Sequence, residues 1–146
     1  MFFATLDSNG LLRYCNAGHN PPIVITSGGA QRLEVGGPIV GLFHSAIYED
    51  AVVQLSPADR LIAYSDGVTE ATNAAGEEFS EERLISVARD HQQANVVDLT
   101  SALLAQLNAF RAEAPAVDDA SLLVLRYVHV NGKLHEGMPT SELSRT

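Results

Sequence analysis

Basic side chains are scarce in this sequence: nine Lys and Arg face eighteen Asp and Glu, for a formal net charge of −9 over 146 residues. A surface of that sign repels the phosphate backbone of nucleic acids, which argues against a general nucleic-acid partner. Cysteine is scarcer still. Cys15 stands alone, which excludes an internal disulfide and any cysteine-based zinc site. Within Leu12-Arg13-Tyr14-Cys15-Asn16 it reads as an apolar strand position rather than a nucleophile. No apolar run approaches the roughly 20 residues of a membrane-spanning helix, and the first residues lack the basic start and cleavage pattern of a signal peptide. No membrane partner is therefore expected, and the cytoplasm is the expected compartment. Internal repeats and low-complexity blocks are absent as well. What remains, 46% hydrophobic and 18% charged residues, is the composition of one folded domain large enough to bury its own core.

The chain opens on two short apolar runs, Phe2 to Leu6 and Leu11 to Cys15, joined by Asp7-Ser8-Asn9-Gly10. Asn-Gly is a strong local hairpin signal, so the sequence begins inside a sheet. In Asn16-Ala17-Gly18-His19-Asn20-Pro21-Pro22 two prolines impose a rigid, non-helical connection. His19 sits in that turn as a metal ligand, an acid-base group or, most simply, a partner for its own loop. Gly28-Gly29 turns the chain before Gln31 to Val35, which alternates like a half-exposed strand. Gly36 to Leu42 is glycine-rich but lacks the lysine and following helix of a phosphate-binding P-loop, so close backbone packing is its expected use. Ile47 to Leu55 reads as a strand that turns at Ser56-Pro57-Ala58-Asp59 into Leu61-Ile62-Ala63-Tyr64, forming a hairpin that ends at Asp66. Ser80 is placed to cap a helix through about Arg89. Asn95 caps a clearer one, in which Val96, Leu99, Leu103, Leu107 and Phe110 recur at spacings of three and four. A last strand runs through Leu122 to Val128, and residues 131–146, with no sustained period, are expected to be a flexible tail.

Two acids stand out because each adjoins a strongly apolar strand: Asp66 follows one and Asp118 precedes the other. If the strands are neighbours in one sheet, both carboxylates converge at one edge. Hard cations such as Mg²⁺ and Mn²⁺ prefer such oxygen donors. Acids at strand ends also cap turns, and spacing alone leaves both uses open.

The ordered set Asn16-Ala17-Gly18-His19-Asn20-Pro21-Pro22, Gly37-Pro38-Ile39-Val40-Gly41, Leu55-Ser56-Pro57-Ala58-Asp59-Arg60-Leu61, Tyr64-Ser65-Asp66-Gly67-Val68-Thr69-Glu70-Ala71, Gly76-Glu77-Glu78-Phe79 and Asp118-Asp119-Ala120-Ser121-Leu122 resembles the SpoIIE/RsbU-type branch of metal-dependent protein phosphatases, from about Phe2 to Arg126. The resemblance implies an α+β, protein phosphatase 2C-like antiparallel β-sandwich flanked by helices, with residues 1–130 forming a partial phosphatase domain. It implies hydrolysis of phosphoserine or phosphothreonine on a protein by water activated at paired Mn²⁺ or Mg²⁺. The usual bacterial substrate is a phosphorylated STAS-type anti-sigma-factor antagonist in a partner-switching pathway. By motif, Asp66 and Asp118 look like catalytic metal-binding aspartates, with Asp119 in reserve.

The sequence departs from the family pattern in two places. It contains no Gly-Asp pair, and Asp66-Gly67 is its only Asp-Gly, so it resembles roughly the C-terminal two-thirds of the catalytic domain without the earlier metal-ligand motifs. Two alternatives follow: a non-catalytic remnant that binds the partner, and a structural domain that forms a homodimer through the open edge of its first strand. Ala58 also stands where the family commonly places glycine, a change expected to affect the turn.

Overall fold

The computed structural model describes residues 1–112, 114 and 118–129; the expected tail over 131–146 lies outside them. Strand β1 (Phe2–Leu6) returns antiparallel as β2 (Leu11–Ala17), with Phe2 opposite Asn16 and Leu6 opposite Leu12. The connection closes on Asp7, whose Oδ1 accepts from the N–H groups of Asn9 and Leu11 at 2.9 Å each. Gly10 supplies the left-handed residue that this turn needs, at φ +85°. Strands β3 (Ile23–Thr26) and β4 (Gly29–Arg32) form a second hairpin. It ends sooner than the alternation from Gln31 to Val35 suggests, because Leu33 turns fully into the core and its N–H bonds the Pro22 carbonyl.

Strand β5 (Gly36–Gly37) runs parallel beside Asn16 and Ala17. A Cβ at Gly36 would lie 1.8 Å from the Asn16 carbonyl oxygen, so these glycines serve close backbone packing. Strand β6 (Ala51–Gln54) is shorter than expected, and Ile47 is exposed. It pairs with β2, whereas β7 (Arg60–Tyr64) pairs with β3 in the other sheet. The expected hairpin ending at Asp66 therefore does not form. The Ser56-Pro57-Ala58-Asp59 turn passes the chain between sheets instead: Leu55 N–H bonds Gly10 in one direction and Ala58 N–H bonds Tyr127 in the other.

Among the described residues three helices follow: α1 (Asp66–Thr69), α2 (Ser80–Asp90) and α3 (Val96–Arg111). Asn95 caps α3 by accepting the Asp98 N–H at 2.9 Å. Ser80 does not cap α2: its hydroxyl is turned to the Glu82 carboxylate, 2.6 Å away, and its backbone takes φ +65°. The last strand, β8 (Leu122–Arg126), joins the edge of the second sheet, whose order is β4-β3-β7-β8.

The second sheet is the middle layer. Ile23, Ile25, Ile62 and Tyr64 on one face pack against Leu84, Leu99, Leu103 and Leu107 of the helices. Val24, Leu61 and Leu125 on the other face meet Leu12 and Tyr14 of the first sheet. Alternation along each central strand thus serves two cores, and each fully buried aliphatic side chain contributes about 1.5–3 kcal/mol. The first sheet, β1-β2-β5 with β6 on β2, leaves β1 as an edge strand among the described residues.

Candidate active site

Strand β7 is buried along most of its length and ends at Tyr64. Its antiparallel neighbour β8 begins directly opposite, with Tyr64 across from Leu122. The residues just beyond these ends, Ser65-Asp66 and Asp118 to Ser121, therefore meet at one edge of the sheet. The expected adjacency of the two acidic strand ends is present, and both Asp66 and Asp118 are exposed there.

Ser65 fastens the two segments together. Its N–H bonds the Ser121 carbonyl at 3.0 Å. Its hydroxyl donates to the Asp119 carbonyl at 3.1 Å and accepts the Ser121 N–H at 2.9 Å. Gly67 lets them touch: a Cβ there would stand 2.4 Å from the Asp119 carbonyl oxygen. The chain turns at Asp66 into the single turn of α1. Asp66 Oδ1 accepts the Gly67 N–H at 2.9 Å, and Asp118 Oδ1 accepts the Asp119 N–H at 2.7 Å. Each carboxylate is thereby oriented by its own backbone while its second oxygen remains available.

These donors suit Mg²⁺ or Mn²⁺ in type: two carboxylates and nearby main-chain oxygens, open to the solvent that such ions retain as bound water. The set is small. Among the described residues, no three His, Cys, Asp or Glu side chains cluster closely enough to hold a metal ion by themselves. Two carboxylates plus water can bind a divalent cation weakly.

Beside the acids runs a groove of about 440 Å³ lined by His19, Ala63, Tyr64, Ser65, Ser121, Leu122 and Leu123. His19 is held by its own loop. Its Nδ1 lies 2.7 Å from the Asn20 carbonyl, and Asn16 both accepts the His19 N–H and donates to the His19 carbonyl. Tyr64, which also borders the groove, turns its side chain into the helix-side core, and its hydroxyl donates to Glu81 Oε2 at 2.6 Å. Burial, followed by that contact with Glu81, raises the phenol pKa well above its ordinary value and keeps it neutral. Sequence reasoning singled out Asp66 and Asp118 but missed the bracing by Ser65 and Ser121. Ser65 precedes Asp66 in a motif that drew attention to the acid, and its partner is visible only once β7 and β8 are paired.

Comparison with known proteins gives a consistent relationship. The family model described as Stage II sporulation protein E (SpoIIE) matches residues 1–128. Protein IcfG of Synechocystis is 39% identical over 87 residues, covering 58% of this chain and 14% of that protein. Phosphoserine phosphatase RsbP of Bacillus subtilis is 25% identical over 113 residues, covering 77% of this chain and 26% of that protein. Among solved structures, the RsbU and RsbW domains of Rv1364c from Mycobacterium tuberculosis align with a TM-score of 0.71 at 25% identity, over 88% of this chain and 36% of that one. The phosphatase domain of SpoIIE from Bacillus subtilis shares the fold, with a TM-score of 0.63 at 18% identity over 91% of this chain and 60% of that one. The chain thus spans only a part of each of these relatives.

Proposed function

This chain belongs to the SpoIIE family, and from that premise we propose that it carries part of the catalytic site of a metal-dependent protein phosphatase acting on phosphoserine or phosphothreonine. The observation that supports the reading is that the segments carrying Asp66 and Asp118 meet just beyond the paired ends of β7 and β8. Both are assigned as metal ligands for Mn²⁺ or Mg²⁺, and Asp119 adds its main-chain carbonyl to the same edge. Such an ion, when bound, supplies an activated water and neutralises charge on the phosphoryl group.

The remaining work falls to the protein. Ser65 ties the segment that follows Asp118 to the strand end that carries Asp66, through its bonds to Asp119 and Ser121. The groove at His19 and Leu123 is the proposed seat for the polypeptide flanking the phosphorylated residue. The proposed substrate is a phosphorylated STAS-type protein. Similarity to the phosphoserine phosphatase RsbP and to a structure containing RsbU and RsbW domains supports a regulatory protein partner.

The test is phosphate release from a phosphoserine-bearing STAS protein by the chain extended to include the family's earlier metal-ligand motifs, with Mn²⁺ present or chelated. The reading expects release that stops on chelation and on Asp66→Asn. An extended chain that binds Mn²⁺ and the phosphoprotein yet releases no phosphate would contradict it and favour a non-catalytic binding role.

A further inference from the structure

At the end of the second sheet remote from the two aspartates, we propose a separate binding site for a small tetrahedral oxyanion, built on Arg60 and Arg126. Arg60 opens β7 and Arg126 closes β8, directly opposite each other in the antiparallel register. Both share the strand phase of Ile62 and Val124, which pack toward the helices, so the two guanidinium groups emerge on the same face. Like charges in this relation repel and need a counter-charge. Among the described residues neither arginine forms an ion pair.

The burial of Arg60 sharpens the point. Its side chain is enclosed, with the residue 3% exposed. Nη1 donates to the Ala58 carbonyl at 3.2 Å and Nη2 to the Ala94 carbonyl at 2.7 Å. Nε is buried with no partner, and each Nη has a second hydrogen left over. A charge removed from water in this way is costly unless an anion or further acceptors meet it. Desolvation, and next the charge of Arg126, lower the Arg60 pKa.

The two arginines line a cavity of about 160 Å³ together with Ser27, Ser56, Gln92 and Gln93. Hydroxyl and amide donors around a pair of guanidinium groups are the chemistry that recognises phosphate or a phosphoryl group. Asp59 also borders the cavity, but one of its oxygens already accepts the Ser56 N–H at 2.8 Å. With one carboxylate against two guanidinium groups, the lining stays net positive in a chain of net charge −9. Arg60 and Asp66 lie six residue steps apart along extended chain, roughly 20 Å at about 3.3 Å per residue. The site is thus distinct from the candidate metal centre and does not rest on the phosphatase reading. Its occupation would tie β7, β8 and the α2–α3 linker together at Ala94.

Calorimetric titration of the full chain with inorganic phosphate in chelator, and separately with a phosphoserine peptide, tests the site. Saturable one-site binding of either probe is expected, and the two arms distinguish free phosphate from a phosphorylated polypeptide. Arg126→Gln, at an exposed position that should not disturb folding, is expected to weaken binding by about tenfold or more. The Asp66→Asn/Asp118→Asn double variant should retain it. The proposal is overturned if neither probe binds, if Arg126→Gln binds as well as the unaltered chain, or if the double aspartate variant abolishes binding. In the first of these outcomes Arg60 is a structural tie between its turn and the linker.

Discussion

Replacing Gly67 with alanine probes the contact that brings the two acidic segments together. The added Cβ would lie 2.4 Å from the Asp119 carbonyl oxygen, 2.9 Å from its carbon and 3.3 Å from the Ala120 nitrogen. Nothing in that direction is a flexible side-chain tip, so relief requires the Asp118 to Ser121 backbone to move away from β7. Overpacking of this kind costs about 1–3 kcal/mol. If the shift also breaks the Ser65 hydroxyl bonds to Asp119 and Ser121, each adds about 0.5–1.5 kcal/mol. At about 2–4 °C per kcal/mol for a domain of this size, a total of about 2–6 kcal/mol lowers the melting temperature by roughly 4–24 °C. Mn²⁺ affinity should fall with it, because the same movement separates Asp66 from Asp118. Gly28→Ala is the control, since its new Cβ would meet only the Thr26 hydroxyl at 3.7 Å. Paired thermal melts and Mn²⁺ titrations decide the matter. Equal melting temperatures and equal Mn²⁺ affinities for the two variants would refute the close-approach account.

Ala58 holds φ +79°, a conformation that costs a side-chain-bearing residue about 1–2 kcal/mol, so Ala58→Gly is expected to raise the urea midpoint by a corresponding amount. Asn95→Ala removes the side-chain acceptor of the Asp98 N–H and should destabilise the chain by about 0.5–2 kcal/mol in the same assay. Leu99→Ala, at a fully buried position between α3 and the second sheet, should cost about 2–5 kcal/mol by chemical denaturation. Asp50→Asn breaks an exposed ion pair with Arg13 and should change stability by no more than about 0.5 kcal/mol, measurable as an unshifted melt.

The features legible in the sequence were those set by local chemistry. The Asn9-Gly10 turn, the Asn95 cap and the stripe from Leu99 to Leu107 depend on side chains close in sequence, and each has its expected structural counterpart. The pairing of Ala51–Gln54 was not legible, because a tight turn at Ser56-Pro57-Ala58-Asp59 suits a hairpin and a sheet-to-sheet crossing equally well. Tertiary bonds to Gly10 and Tyr127 decide it. Ser80 satisfied the composition of a helix cap, but its hydroxyl faces Glu82. At the candidate site, Asp66 and Asp118 were marked by the apolar runs beside them, whereas Ser65 and the Arg60–Arg126 pair acquire meaning only from the β7–β8 register. A one-residue slip there would turn one arginine to the opposite face.

The central claim is that Asp66 and Asp118 serve one metal centre. Mn²⁺ binding measured by calorimetry on the unaltered chain, Asp66→Asn, Asp118→Asn and the double variant tests it as a thermodynamic cycle. A shared site predicts that each single substitution removes most of the Mn²⁺ affinity and that the second adds little. Single variants that bind Mn²⁺ like the unaltered chain, or two losses that add independently, would contradict it.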